Sequence, residues 1–425
     1  MNLQIKIKKR SQPEWLVWLL VFMPFFFGTL FDFLPLPSLL KYVLDIAWVM
    51  LLALFIINIY HERIQMNTNL KIITGWVVSF LIFTFLVYVF NYQSALYYIM
   101  GIRNNFRFYF AFIAFIAFLS SDDIKNYLKI FDVLFWVNSV VMLAQYVVFD
   151  FKQDSLGGIF GTQAGCNGYV NIFFVIYFAR LIVNYLNKEE KTYMMVIKSA
   201  SLLLLATFAE IKYFYLEFLV IIFVAALVTS FSWRKLLVLA GGAVAVIIFI
   251  NLLILIFPYF ADLVSIEAIL KDQSEGYSSA EAVGRLNAIR TMSELFLDTG
   301  IQKLTGLGLG NCDTSTVSFL NTPFYQEFGY LRYFWFSTAH ITLETGYIGL
   351  VFFAGFFVLI AALSANSLKK ESENKIYWQL SIVAAVSGIL IFIYNSSLRT
   401  EAAYMLYFIM SLPFAMQKEV RGELN

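Results

Sequence analysis

Charge is the scarcest property of this chain: 14 % of its 425 residues are Asp, Glu, Lys or Arg, whereas 60 % are hydrophobic. A soluble domain carries about 25 % charged residues, so the chain has too little charge to cover a water-facing surface and calls for lipid as its solvent. The net charge of +2, with no basic run beyond the first ten residues, argues against a nucleic-acid partner. Histidine is scarcer still. His61 and His340 stand far apart with no HExxH pattern, so no metal site is expected. Two cysteines, Cys166 and Cys312, exclude a disulfide framework or a thiolate metal site. The order of the spans puts both on the outer side, where one disulfide could form; two unpaired buried thiols are the alternative.

What the chain has is apolar length. Crossing about 30 Å of hydrocarbon takes about 17 to 25 residues. Such stretches lie near 14–31, 39–60, 72–92, 103–120, 127–149, 168–186, 194–210, 213–231, 235–257, 338–364, 376–394 and 398–415. The expected fold is an all-α polytopic membrane protein of about 12 helices. The start, MNLQIKIKKR before an apolar run, lacks an A-x-A-like cleavage site and reads as an uncleaved first helix. The seventh and eighth spans are separated only by Glu210, Ile211 and Lys212, and one bent helix there would invert everything downstream.

Charge asymmetry favours two helices. With the N-terminus inside, the inner connections 1–13, 61–71, 121–126, 187–193, 232–235, 365–375 and 416–425 each carry Lys or Arg, on both sides of residue 210. The short outer ones carry few, as the positive-inside rule requires. Both termini are then cytoplasmic. The chain divides into three regions: a nine-helix part (1–257), a large outer loop (258–337) and a three-helix part (338–425). No internal repeat is visible, which argues against a transporter built from two similar halves.

The loop has structure of its own. Ser278 with Glu281 makes a capping box, and Val283, Leu286, Ile289, Met292 and Phe296 recur at helical spacing until Gly300. That predicts an amphipathic helix at the membrane surface. A glycine-rich bend, TGLGLGN (305–311), comes next without the preceding strand that a dinucleotide site needs. The aromatic stretch 322–336 suits the interface.

Several cations break the positive-inside trend: Arg103 and Arg107 at the outer end of the fourth span, Lys212 between spans, Arg285 and Arg290 on the loop helix, and Arg399 at the start of the last span. Each alone can anchor at an interface. Together they suit a phosphate-bearing ligand, ideally a diphosphate, since arginine offers each phosphate a bidentate fork. His340 opens the tenth span with Glu344 one turn on. A carboxylate there can take one ring N–H and leave the other nitrogen as a general base, or the histidine can be a structural one.

STAHITLETGYIGL (337–350), with GRLNAIR (284–290) and GLGLGN (306–311) before it, resembles the O-antigen polymerase and O-antigen ligase superfamily. Its members pair a loop arginine, a G-x-G-x-G-like turn and a histidine heading an E-x-G-x-x-G helix. GIRNNFRFY (101–109), GIFGTQAGCNGYVN (158–171) and AEIKYF (209–214) look like upstream elements of the same family, so the likeness spans about residues 95 to 415. Many relatives follow the histidine with asparagine; Ile341 stands here.

The resemblance implies a metal-independent, cofactor-free glycosyltransferase of the lipid-dependent, GT-C-like type. It would act at the outer face of the bacterial cytoplasmic membrane on undecaprenyl-diphosphate-linked oligosaccharide, as donor and acceptor, with a flippase and a chain-length regulator as further partners. His340, Glu344 and Arg285 are the expected catalytic group. Arg290, Arg103, Arg107, Lys212 and Arg399 are the expected diphosphate ligands. Tyr325, Tyr330, Tyr333 and Trp335 can stack on sugars or anchor at the interface. A ligase with the same donor is the alternative. A lipid-glycan flippase or transporter is the rival of another class; Asp45 and Asp132 are read as its only in-span carboxylates.

Overall fold

A computed structural model of the protein describes residues 11–34, 36, 40, 42–258, 283–315, 317–370 and 374–422. Among them there is no strand, and the chain is an all-α polytopic membrane protein. Its helices are α1 (Gln12–Phe22), α2 (Pro24–Phe33), α3 (Val43–Tyr60), α4 (Thr68–Phe90), α5 (Ala95–Phe118), α6 (Ser121–Val147), α7 (Asn167–Leu186), α8 (Thr192–Phe208), α9 (Tyr213–Val228) and α10 (Trp233–Ile256). The loop contributes α11 (Ala288–Phe296), α12 (Gly300–Thr305) and α13 (Pro323–Phe328), and the chain ends in α14 (Ser337–Lys370), α15 (Lys375–Tyr394) and α16 (Ala403–Gly422).

Seven of these are long and apolar enough to cross a membrane, and up to eight if α1 and α2 form one broken span. That pair bends by 64° at Pro24, which enters α2 at its first turn. The break at 210 is present: α8 stops at Phe208, Glu210 takes φ +56°, and α9 begins at Tyr213. Helix α7 is the hub, with 83 % of its apolar window inside the protein, against 17 % for α10. Ile247, Ile248 and Leu255 of α10 are therefore exposed, a surface suited to lipid rather than water.

Three expectations shift. Helix α5 begins at Ala95, not near 103, so Arg103 and Arg107 lie about two and three turns inside it rather than at its end. Their polarity lowers the local hydropathy that marks a span, while tertiary partners satisfy it. The loop helix is shorter than its apolar spacing: Arg285–Asn287 form a turn and α11 starts only at Ala288. The Ser278–Glu281 box lies outside the described residues. Gly300 opens α12 behind a Thr299–Gln302 capping box, instead of closing α11. Helix α11 also packs on the protein, with Ala288 and Met292 in a small core with Cys312, Tyr333, Phe336, Ala339 and Leu343.

Helix α14 has 34 residues, about 51 Å at 1.5 Å each, too long for about 30 Å of hydrocarbon. It is two pieces. Gly346, at φ 61° and ψ −161°, breaks it, and every residue from Ser337 to Gly346 is buried. The first piece is thus wrapped by protein, and it carries His340 and Glu344.

Candidate functional site

The glycine-rich bend builds the site by close backbone approach. Leu307 N–H donates to Leu343 O (2.7 Å) and Gly308 N–H to Glu344 O (3.0 Å). A Cβ on Gly101 of α5 would sit 2.6 Å from Gly310 N, and one on Gly310 would strike the Tyr97 carbonyl. Gly306, Gly308 and Gly310 all have positive φ, open to glycine at no steric cost. The bend is a clasp between α5 and α14. It delivers the next residues, Cys312 and Asp313, between them.

Asp313 is the centre of the site. Its Oδ1 lies 3.2 Å from His340 Nε2 and accepts from Arg399 Nη2, while its Oδ2 accepts from Asn104 Nδ2 at 2.9 Å. Glu344 Oε1 lies 3.1 Å from the same His340 nitrogen and accepts from the Cys312 N–H at 3.3 Å. Arg103 donates to Asn104 Oδ1 (2.7 Å) and to Asp45 Oδ2 (2.8 Å). Arg107 is 3.1 Å from Glu401 and 3.7 Å from Asp45, and donates to the Arg399 carbonyl at 2.8 Å. Tyr169 OH donates to Glu401 at 2.6 Å. Burial alone would raise the Asp313 carboxyl, but Arg399, His340 and Asn104 outweigh it and hold it well below the usual carboxylate range. Burial pushes the Cys312 thiol up, and Glu344 and Asp313 push it further; it is no nucleophile.

Five of the eight sequence-chosen residues therefore meet: His340, Glu344, Arg103, Arg107 and Arg399. Three do not. Lys212 pairs with Glu210 (3.2 Å). Arg290 is 77 % exposed and pairs with Glu294 one turn on. The Arg285 guanidinium lies 4.1 Å over the Tyr394 ring and 5.5 Å over that of Phe336. The gathered cations are not a bare cradle either, since each faces a carboxylate.

The aromatics differ from expectation too. Tyr333 is buried, donates to Cys312 O (2.6 Å) and stacks 6.0 Å from His340, so it offers no face to a sugar. Tyr325 packs on Phe334, and Trp335 carries Arg332 on its ring; Tyr330 is exposed. Cys166 and Cys312 are both free and buried. Cys166 heads α7 and donates to Asp154 O, while Cys312 is held under the clasp, so no disulfide joins them.

Asp313, Asn104 and Glu401 went unrecognised in the sequence. Asp45 is the partner of Arg103. Asp45 and Asp132 are also not alone within spans: Glu217 of α9 is fully buried, where Asn171 Nδ2 donates to it at 3.3 Å. The signals were Asp313 directly after the glycine bend and Glu401 two residues from Arg399.

Ligand atoms of Asp313, His340 and Glu344 lie within 4.8 Å of one another, a donor set that suits divalent ions. Arg399 already donates to the Asp313 oxygen such an ion would need, so the fit is poor. No family model matches the chain, and no curated protein does.

The arrangement suits proton transfer. Neither ring nitrogen of His340 makes a hydrogen bond of good geometry among the described residues, but Nε2 is the one that lies at ion-pair distance from two carboxylates. Nδ1 is the nitrogen left to take a proton.

Proposed function

We propose that the chain is a polysaccharide repeat-unit polymerase acting on undecaprenyl-diphosphate-linked oligosaccharide at the outer face of the bacterial cytoplasmic membrane. Its spans would number twelve, counting α1–α2 as one and adding α5, α8, α9 and α16, in a GT-C-like arrangement with both termini cytoplasmic. The observation that carries the reading is the meeting of His340, Glu344 and Asp313 with Arg103, Arg107 and Arg399 beneath the large loop.

In this reaction the bond from the donor sugar C1 to phosphate oxygen breaks and a bond from C1 to the acceptor hydroxyl oxygen forms. The lipid diphosphate leaves with the electron pair, and the hydroxyl proton passes to His340 Nδ1. Arg103 and Arg399, the more open of the gathered cations at 21 % and 11 % side-chain exposure, meet the diphosphate as charge develops on it. Arg107, 3 % exposed, holds Asp45 and Glu401 in place. The Arg285 guanidinium lies over the rings of Tyr394 and Phe336, and we assign it the ordering of the loop.

Purified protein given a defined lipid-linked repeat unit should lengthen it in detergent, and His340→Ala should not. Full-length polymer from a correctly inserted His340→Ala protein would remove the base. A ligase would use the same donor chemistry; loss of a polymerase leaves single repeat units on the acceptor, loss of a ligase leaves none. The buried Glu217–Asn171 pair favours transport as a second reading, because in-membrane carboxylates mark ion and substrate paths. Elongation in detergent, where no gradient exists, excludes transport as the sole activity.

A further inference from the structure

Among the described residues, the loop-end network is short of positive charge by one. It holds the carboxylates of Asp45, Asp313, Glu344 and Glu401 against the guanidiniums of Arg103, Arg107 and Arg399. The proton that His340 takes from the acceptor closes the balance. Asp313 decides how strongly that proton is held, since its Oδ1 serves Arg399 and His340 at once. While Arg399 draws on that oxygen, little of its charge is left for the imidazole.

We propose that Asp313 is a positioning residue that couples diphosphate binding to the basicity of His340. This rests on the proposed reading of the site as one for a lipid diphosphate. Arg399 sits on a short turn, Ser397–Arg399, outside any α-helix, and its Nε is buried with no hydrogen-bond partner among the described residues. Arg103 reaches the same aspartate through Asn104. A diphosphate placed between Arg103 and Arg399 draws both guanidiniums toward its oxygens. Asp313 then keeps only Asn104 and His340, and its full negative charge falls on the imidazole, which becomes the stronger base. The base is therefore stronger when the donor is bound than when it is not.

The groups that face His340 are Asp313 and Arg399 from the loop and the turn before α16, Glu344 from its own helix, and Tyr333 and Cys312 from the loop core. Of these only the Arg399–Asp313 contact answers directly to an incoming anion.

The chain has two histidines, so His61→Gln leaves His340 as the single imidazole, and nitrogen NMR of labelled histidine in nanodiscs reads its titration alone. Inorganic pyrophosphate should raise its midpoint by on the order of one unit. Adding Asp313→Asn should abolish the rise while calorimetry still detects pyrophosphate binding. A rise of equal size in the Asp313→Asn protein overturns the coupling, because the anion would then act on His340 through space. Arg399→Gln gives a second arm that does not need the aspartate variant to fold: its midpoint should already stand high without pyrophosphate, and a midpoint equal to the parent's overturns the proposal. Binding without any rise in the parent overturns the coupling alone. No pyrophosphate binding to the parent overturns the diphosphate reading beneath it.

Discussion

Two clusters of charge lie toward opposite ends of α7. At the loop end are the three arginines, four carboxylates and His340. Toward the other end Arg180 pairs with Asp132 at 2.8 Å and Lys198 with Glu190 at 2.9 Å, with Tyr177 OH donating to Asp132 at 3.1 Å. The second cluster has two cations for two carboxylates, and it lines a small cleft of about 10 Å³, room for about one water. Its charge is complete without any variable group. The loop-end cluster is incomplete unless His340 takes a proton, and its His340, Asp313 and Glu344 side chains are 0 %, 6 % and 0 % exposed. A balanced, partly exposed set of pairs supports a span at low cost. An unbalanced, buried one has a titratable group whose state responds to a ligand, and that is the chemical difference between scaffold and site.

The largest effect that tests this difference is on turnover. Glu344→Gln leaves His340 without one of its two carboxylates, and His340→Ala removes the imidazole. Each should lower chain elongation by about 10²- to 10⁴-fold, the usual contribution of a general base. Asp132→Asn should leave elongation near the parent's. Equal losses at the two ends would erase the distinction, whatever the reaction proves to be.

Stability should divide the same way, with a smaller span. Arg107→Ala leaves Glu401 with the Tyr169 hydroxyl but no paired cation and Asp45 with Arg103 alone, in surroundings where Arg107 is 3 % exposed. Breaking a buried pair from one side costs about 3–5 kcal/mol. Arg180 and Asp132 are 16 % and 21 % exposed, where water screens the pair, and Arg180→Ala should cost about 1 kcal/mol or less. Unfolding of the two variants in detergent ranks them; the reverse order would mean that burial does not govern these pairs.

How much of this the sequence disclosed depends on the range of each interaction. The break at 210 and the His340–Glu344 spacing are local, and both were legible. So were the charges that neutralise Arg290 and Lys212, since Glu294 stands four residues after the first and Glu210 two before the second; i,i+4 pairing already argued against Arg290 reaching a ligand. The start of α5 was not legible, because Arg103, Asn104 and Arg107 look like a span end until Asp45, Asp313 and Glu401 are known to meet them. Asp313 was hidden for the same reason: its partners lie 209 and 86 residues away at Asn104 and Arg399, and a glycine clasp brings them together.

That clasp supplies the next contrast. Gly310→Ala puts a Cβ against the Tyr97 carbonyl at a positive φ, and should weaken loop docking by about 1–3 kcal/mol and lower elongation with it. Gly241, in α10 and part of neither cluster, has nothing within 4 Å of its Cβ position. Gly241→Ala should leave activity alone and stabilise its helix by up to about 1 kcal/mol. Hydrogen exchange at residues 307–313 should accelerate only in the Gly310 variant.

Acid should produce the smallest effect, and its sign is set by Asp313. The folded carboxyl is held below its ordinary value of about 3.9, chiefly by Arg399 against the opposing pull of burial. A depressed acid contributes stability that is present above the unfolded value and is lost as pH falls through the folded one. Between neutrality and about pH 4 the clasp should therefore hold, and below that its exchange protection should decline as Asp313 protonates and releases Arg399 and His340. Asp313→Asn should remove this acid-dependent step while lowering protection already at neutral pH. An identical acid profile in the parent and the variant would assign the loss to another carboxylate and leave Asp313 without the central place its contacts give it.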